Sequence, residues 1–251
     1  MILLVAFSES IDEAAAYANI AAVPDDYLDT SGDLIRIPEG VNKIFGKVAY
    51  VGTTGTRVRL SCPSLRQFQN LYVTPVNQVL VPTGHDVIDI HPESLIPLEA
   101  TENLECEVYA DPAAAEQHTI GVWLTDKDIS PVRGDIRPVP FSVTMAIVAG
   151  VWNTGSITLE EELPKGAYEL VGGRIECVVG TLGRFILPKS MDRPGFVLSA
   201  DEDFRQNDIF RYGRLGVWGS FDNISLPKAE ILGAAATGSA TYQGIMDVIR
   251  R

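Results

Sequence analysis

Histidine, cysteine and clustered carboxylates are where metal, acid–base or nucleophilic chemistry would start, and this 251-residue chain has few of them. Its histidines are His85, His91 and His118. Two lie in Gly84-His85-Asp86-Val87-Ile88-Asp89-Ile90-His91-Pro92-Glu93, where a strand would put His85, Asp89 and His91 on one face, an imidazole–carboxylate set that suits a metal. A closely spaced histidine pair is absent, so a solvated loop is the expected form. Glu160-Glu161-Glu162 and Asp201-Glu202-Asp203 could offer oxygen to a hard cation, but neither has the spaced ligands and bend-forming glycine of a calcium loop. Both read as solvated turns. Cys62, Cys106 and Cys177 are odd in number and scattered, without CxxC spacing, and read as buried thiols. Serine-nucleophile signatures, phosphate-cradling glycine loops and redox cysteine pairs are missing. No catalytic, cofactor or metal residue is assigned, and enzyme activity is not expected.

The elements that would have to position any such residue are strands. Short period-two or continuous apolar runs alternate with Gly, Pro, Asn and Asp, the pattern of an all-β chain. Arg57-Val58-Arg59-Leu60-Ser61-Cys62 puts Val58, Leu60 and Cys62 on one face; Phe141 to Ile147 does the same with Phe141, Val143, Met145 and Ile147. Leu104-Glu105-Cys106-Glu107-Val108 turns both glutamates away from Leu104, Cys106 and Val108. Further strands are expected at Met1 to Phe7, Val48 to Val51, Asn70 to Val76, Val87 to Ile90, Thr119 to Leu124, Arg174 to Val179, Phe185 to Leu187 and Leu215 to Trp218. That is too many for one small sheet, so packed sheets are required. Two segments break the pattern. The capping box Ser10 to Glu13 and the alanines that follow predict a helix over about 11–23, ended by Pro24. Tyr242, Ile245, Met246 and Ile249 fall at i, i+3, i+4 and i+7, one stripe of an amphipathic C-terminal helix, with Arg250 and Arg251 where the dipole favours cations. The run of small residues before it, Ile231 to Gly244, reads as a connector. Trp123, Trp152 and Trp218, each after Gly-Val, read as core or sheet-edge residues.

The two halves repeat. Residues 37–64 (IPEGVNKIFGKVAYVGTTGTRVRLSCPS) align with 163–190 (LPKGAYELVGGRIECVVGTLGRFILPKS), matching Pro38, Gly40 and Gly46 to Pro164, Gly166 and Gly172. After a one-residue slip, Thr54, Arg57 and Leu60 match Thr181, Arg184 and Leu187. Leu3 to Phe7 overlies Ala146 to Gly150, and Ile120-Gly121-Val122-Trp123 overlies Leu215-Gly216-Val217-Trp218, each closing a half. A unit half the chain long implies two tandem copies of one β-domain, not a solenoid. The proline- and glycine-broken stretch from Thr125 to Arg137 is the expected boundary, giving domains 1–130 and 131–251. The chain has 33 acidic and 20 basic residues and a net charge of −13. Residues 1–125 carry −11 of it and 126–251 only −2. So acid a surface excludes a broad grip on nucleic acid or anionic lipid, and no sequence-specific nucleic-acid binding is expected. Unlike charges on the two copies suit halves that meet different neighbours.

The paired windows, the two Gly-Val-Trp segments and the short proline-rich linker resemble, in architecture, the double jelly-roll major capsid proteins of tailless icosahedral viruses. That resemblance implies two tandem jelly-roll β-sandwiches with short helices near the termini. It also implies a homotrimer that forms a pseudo-hexagonal tile, assembles in the host cytoplasm and resides in the virion. Partners would be further copies of the chain, penton or minor capsid proteins and an inner membrane. The segment with Tyr242, Ile245, Met246, Ile249, Arg250 and Arg251 would be the candidate partner or membrane contact. No cofactor is implied. At 251 residues the chain leaves little room for the tower loops of larger members. Two alternatives stay open: a virion spike, fibre or carbohydrate-binding β-sandwich, which would present exposed aromatic residues, and a cupin-like metal-dependent jelly-roll enzyme.

Overall fold

Alternation of apolar and polar side chains is realised in strand after strand of the computed structural model, which describes residues 1–11, 15–52, 55–66, 70–77, 89–110, 115–188, 190–198 and 209–251. Every named element among them is a strand, and the protein is all-β with several sheets. No helix among the described residues is long and apolar enough to cross a membrane. The chain divides into two compact units: Val5–Lys127 with Gly150–Trp152, and Asp128–Ala149 with Asn153–Arg251 and Met1–Leu4.

In the first unit the strands are β1 (Ile2–Ile11), β2 (Tyr17–Asn19), β3 (Thr30–Ser31), β4 (Leu34–Arg36), β5 (Lys43–Val51), β6 (Gly55–Ser61), β7 (Leu71–Val73), β8 (Pro75–Asn77), β9 (Asp89–Ile90), β10 (Ile96–Pro97), β11 (Asn103–Ala110) and β12 (Glu116–Thr125). One sheet runs β1-β12-β5-β10, with β8 and β9 also on β5. The other runs β3-β4-β11-β6-β7, with β2 on β11. Leu104, Cys106 and Val108 of β11 and Val58 and Leu60 of β6 are fully buried, as the period-two pattern requires. Strands β5 and β12 are buried along nearly their whole length, which explains why they read as continuous apolar runs.

The second unit has β13 (Arg137–Ile147), β14 (Trp152–Leu159), β15 (Ala167–Ile175), β16 (Gly180–Ile186), β17 (Gly195–Val197), β18 (Gly219–Asp222), β19 (Lys228–Gly233) and β20 (Thr237–Arg250). They form one path, β17-β16-β19-β14-β13-β20-β15-β18. Its core is a chain of aromatic rings. Phe141 meets Phe185 edge-on at 5.9 Å, Phe185 meets Phe196 at 5.3 Å, and Trp218 stacks on Phe196 at 6.4 Å.

Both expected helices are corrected. Residues 12–14 of the N-terminal one lie outside the described residues; of the rest, Ala15 sits at φ 50° and Tyr17–Asn19 pairs antiparallel with β11. Ile20 N–H continues that pairing to Cys106 O at 2.9 Å, with Ile20 fully buried. Burial against β11 outweighs the few tenths of a kcal/mol per residue that alanine offers a helix. The C-terminal segment is a 14-residue strand, hydrogen-bonded to β13 on one side and β15 on the other. Tyr242 and Met246 satisfy periods of 2 and 4 alike, so they fit a strand face with Gly244 and Val248 as well as a helix stripe. The supposed connector shrinks to the turn between Gly233 and Thr237. Leu215 to Trp218 is also no strand: it precedes β18, with Gly216 at φ 81°, whereas Ile120 to Trp123 lies within β12. That pair of Gly-Val-Trp segments therefore occupies different places in the two units.

Candidate functional site

Several of the residues nominated for chemistry are engaged in the fold itself. His85 and Asp201 to Asp203 lie outside the described residues. Asp89 bonds the ammonium of Lys47 through one oxygen and contacts His91 Nε2 through the other. Partial burial alone would raise its pKa, but the hydrogen bond and charge of Lys47, with His91, hold it below the usual carboxylate value. His118 is fully buried on β12, its Nδ1 accepts the Gly52 N–H at 3.2 Å, and burial lowers its pKa. No group of three His, Cys, Asp or Glu among the described residues is placed to hold a metal. Glu160, Glu161 and Glu162 are exposed in the turn between β14 and β15. All three cysteines are buried free thiols, and burial raises the pKa of each. Trp123 and Trp218 are core residues.

The six C-terminal residues do not form one stripe. Tyr242 and Met246 face the interior; Ile245 and Ile249 are half-buried on the opposite face. Arg250 donates to Lys165 O at 2.8 Å, and Arg251 bonds Glu169 at 2.5 Å, so both arginines fasten the end of β20 beside β15.

Sequence reasoning missed the buried charges. On the same face as Ile245 and Ile249, Asp247 is fully buried and accepts three hydrogen bonds: Arg211 Nε at 2.7 Å, Arg211 Nη2 at 2.9 Å and Tyr212 N–H at 2.8 Å. Tyr212, at φ 57°, is held in the left-handed region by this anchor. A second buried pair joins Arg184 to Glu230 at 2.6 Å; Thr154 donates to Glu230 at 2.8 Å and Arg184 donates to Leu4 O at 3.1 Å. The signal that was available is a lone charge inside an apolar strand, as in Gly244-Ile245-Met246-Asp247-Val248.

The outward face of β2-β11-β6-β7 is the most distinctive surface. Register sets two rows across it: Tyr17, Tyr109 and Arg57 in one, and Asn19, Glu107, Arg59 and Tyr72 in the next. Arg59 makes a two-pronged bond to Glu107 at 2.6 and 2.9 Å, and its guanidinium lies 3.7 Å over the Tyr17 ring. Hydrogen bonding to Glu107 raises the Arg59 pKa further above its ordinary value. Tyr17 meets Tyr109 edge-on at 5.4 Å, and Arg57 lies 5.3 Å over Tyr109. Arg66 is 3.9 Å from Glu105, and Tyr72 is 55% exposed. The second unit has a hollow of about 460 Å³ lined in part by Asp192, Ser220, Phe221 and Asp222. Its carboxylates are engaged locally: Asp192 accepts Ile2 N–H at 2.8 Å and Asp222 accepts Ile224 N–H at 3.0 Å.

No family model, curated protein or solved structure matches the chain.

Proposed function

We propose that both units are jelly rolls and that the chain is a double jelly-roll major capsid protein, built into an icosahedral shell as pseudo-hexagonal homotrimers. Strand order carries this reading. With β13 to β20 counted from one to eight, the path reads 5-4-7-2-1-8-3-6, which splits into 1-8-3-6 and 2-7-4-5. In a jelly roll those are the orders of its two four-stranded sheets, joined by Greek-key connections, so the path supports the reading. The first unit supports the same assignment, since β1-β12-β5-β10 and β4-β11-β6-β7 repeat the pairings one for one. The repeat seen in the sequence agrees with this: windows 37–64 and 163–190 contain β5 with β6 and β15 with β16, the third and fourth strands of each set.

Two copies of one wiring in a single chain have a geometric use. Three chains then supply six similar sandwiches to a six-fold position, while divergence between copies fits unlike edges to unlike neighbours. The −11 and −2 halves are divergence of that kind. In this reading the protein is structural, works in the virion after assembly in the host cytoplasm, and has as partners its own copies, penton or minor capsid proteins and an inner membrane.

Size exclusion with light scattering, followed by electron microscopy of the same fractions, tests it. A particle of three times 27.3 kDa that tiles into hexagonal plates or closed shells is the expected result. A folded monomer at every salt and calcium concentration overturns it.

A further inference from the structure

We infer that the Tyr/Arg face of β2-β11-β6-β7 receives an acidic segment of a second copy of the chain, its exposed turn Glu160-Glu161-Glu162; the inference rests on the assembly reading above. A chain of net charge −13 repels its own copies, most strongly through the first half, where 17 acidic residues face 6 basic ones. Contact there needs a place where the local sign is reversed. Three of those six basic residues, Arg57, Arg59 and Arg66, sit on β6 or in the turn after it. Glu107 neutralises Arg59 closely, and Glu105 reaches Arg66 only at 3.9 Å. Arg57 is exposed, packs on Tyr109, and meets no carboxylate among the described residues. On the β2 side of the face Asn19 donates to Asp33, so the charges of the described residues balance overall, and Arg57 is the cation left exposed without a carboxylate among them. One such cation, flanked by tyrosine rings, suits a short acidic peptide and is too little for a nucleic-acid backbone.

Composition and order point the same way. Tyrosine and arginine are the residues enriched at the centres of protein interfaces. Here the Arg59 fork on Glu107 and its seat over Tyr17 hold the side chains in place beforehand, which lowers the entropy lost on contact. The other partner is complementary: Glu160, Glu161 and Glu162 are exposed, and none bonds a cation among the described residues. A contact between these unlike surfaces is heterologous, the type that closes a ring of copies.

Charge exchange in the full-length chain tests the contact. Variant one is Arg57→Glu with Arg66→Glu; variant two is Glu160→Lys, Glu161→Lys and Glu162→Lys; variant three carries all five changes. Arg57→Glu alone is a milder form of the first, because Arg57 has no carboxylate partner among the described residues. Circular dichroism checks folding and light scattering reads the assembled fraction. Variants one and two should each weaken assembly by about tenfold or more, as like charges brought together do. Variant three should recover most of it. Assembly unchanged in variant one or two, or no recovery in variant three, overturns the contact while the assembly reading stands. A folded wild type that never assembles removes both. Capture of the wild type on a glycan array, lost with Tyr72→Ala while the charge variants assemble normally, assigns the face to sugar instead.

Discussion

Replacing Asp247 by alanine should be the most damaging single change in the second unit, although the residue carries no function in the assembly reading. Asp247 is fully buried on β20 and accepts three hydrogen bonds at 2.7–2.9 Å from Arg211 and the Tyr212 N–H. Its removal takes from the Arg211 guanidinium, itself only 6% exposed, the carboxylate that accepts two of its hydrogen bonds. Breaking a buried pair in this way costs about 3–5 kcal/mol. At roughly 2–4 °C per kcal/mol for chains of this size, the melting temperature of that unit should fall by on the order of 6–20 °C. Removing both charges together, with Asp247→Val and Arg211→Met, should restore most of the loss, because neither desolvated ion is then present. The measurement is urea unfolding followed by near-ultraviolet circular dichroism of the wild type, the single variant and the pair. A single-variant loss under about 1 kcal/mol would mean that Arg211 swings into solvent at little cost, and that the pair does not anchor the segment to β20.

Two further outcomes follow from the same structure. His118 is buried neutral, with its pKa lowered below the ordinary value of about 6.5, so the unfolded chain takes up a proton before the folded one does. Stability of the first unit should therefore decline as pH falls below about 6.5 towards the folded-state value, and His118→Gln should flatten that slope; equal slopes in thermal melts from pH 7 to pH 5 refute it. At Gly244 an added Cβ would collide with the Phe141 ring and sit 2.8 Å from Arg174 O. Gly244→Ala should cost about 1–3 kcal/mol by overpacking, whereas Gly238→Ala on the same strand, with nothing within 4 Å, should be neutral or stabilising; similar unfolding midpoints for the two variants would contradict the packing account.

What the sequence showed depended on how many structures each pattern allowed. Leu104 to Val108 and Phe141 to Ile147 alternate strictly, and β11 and β13 bury the residues that alternation selects. Tyr242, Ile245, Met246 and Ile249 were ambiguous, because positions 242 and 246 are in phase for both a helix and a strand. What decided the matter was remote in sequence: β13 and β15, about 70 to 110 residues earlier, each offer β20 a ladder partner. The alanines after Ser10 failed for a similar reason, since β11 is about 90 residues downstream of β2. Strand β14, with Thr154, Ser156 and Thr158 facing out, has too little apolar contrast to be seen at all. The Tyr/Arg face is built from four strands whose register brings Tyr17, Arg59, Tyr72, Glu107 and Tyr109 together. Each was visible only as an unremarkable outward residue.

The edges of the sheets bear on how copies of this chain could associate. An open strand edge is a ready template for pairing with another chain, and proteins that must not aggregate keep such edges short or covered. Among the described residues the terminal strands β3, β7, β10, β17 and β18 are two to four residues long. Strand β1 is the long one, and its backbone is bonded beyond its ladder with β12. Ser8 N–H donates to Ala21 O and Val23 N–H to Ala6 O; Leu4 N–H donates to Arg193 O and Arg193 N–H to Ile2 O, all at 2.8–2.9 Å. Strand addition is thus poorly served along these edges. In the assembly reading, contacts between copies then run through side chains on sheet faces and turns, where specificity comes from charge and shape. That is the kind of contact a charge exchange between Arg57 and the Glu160–Glu162 turn can switch off and restore.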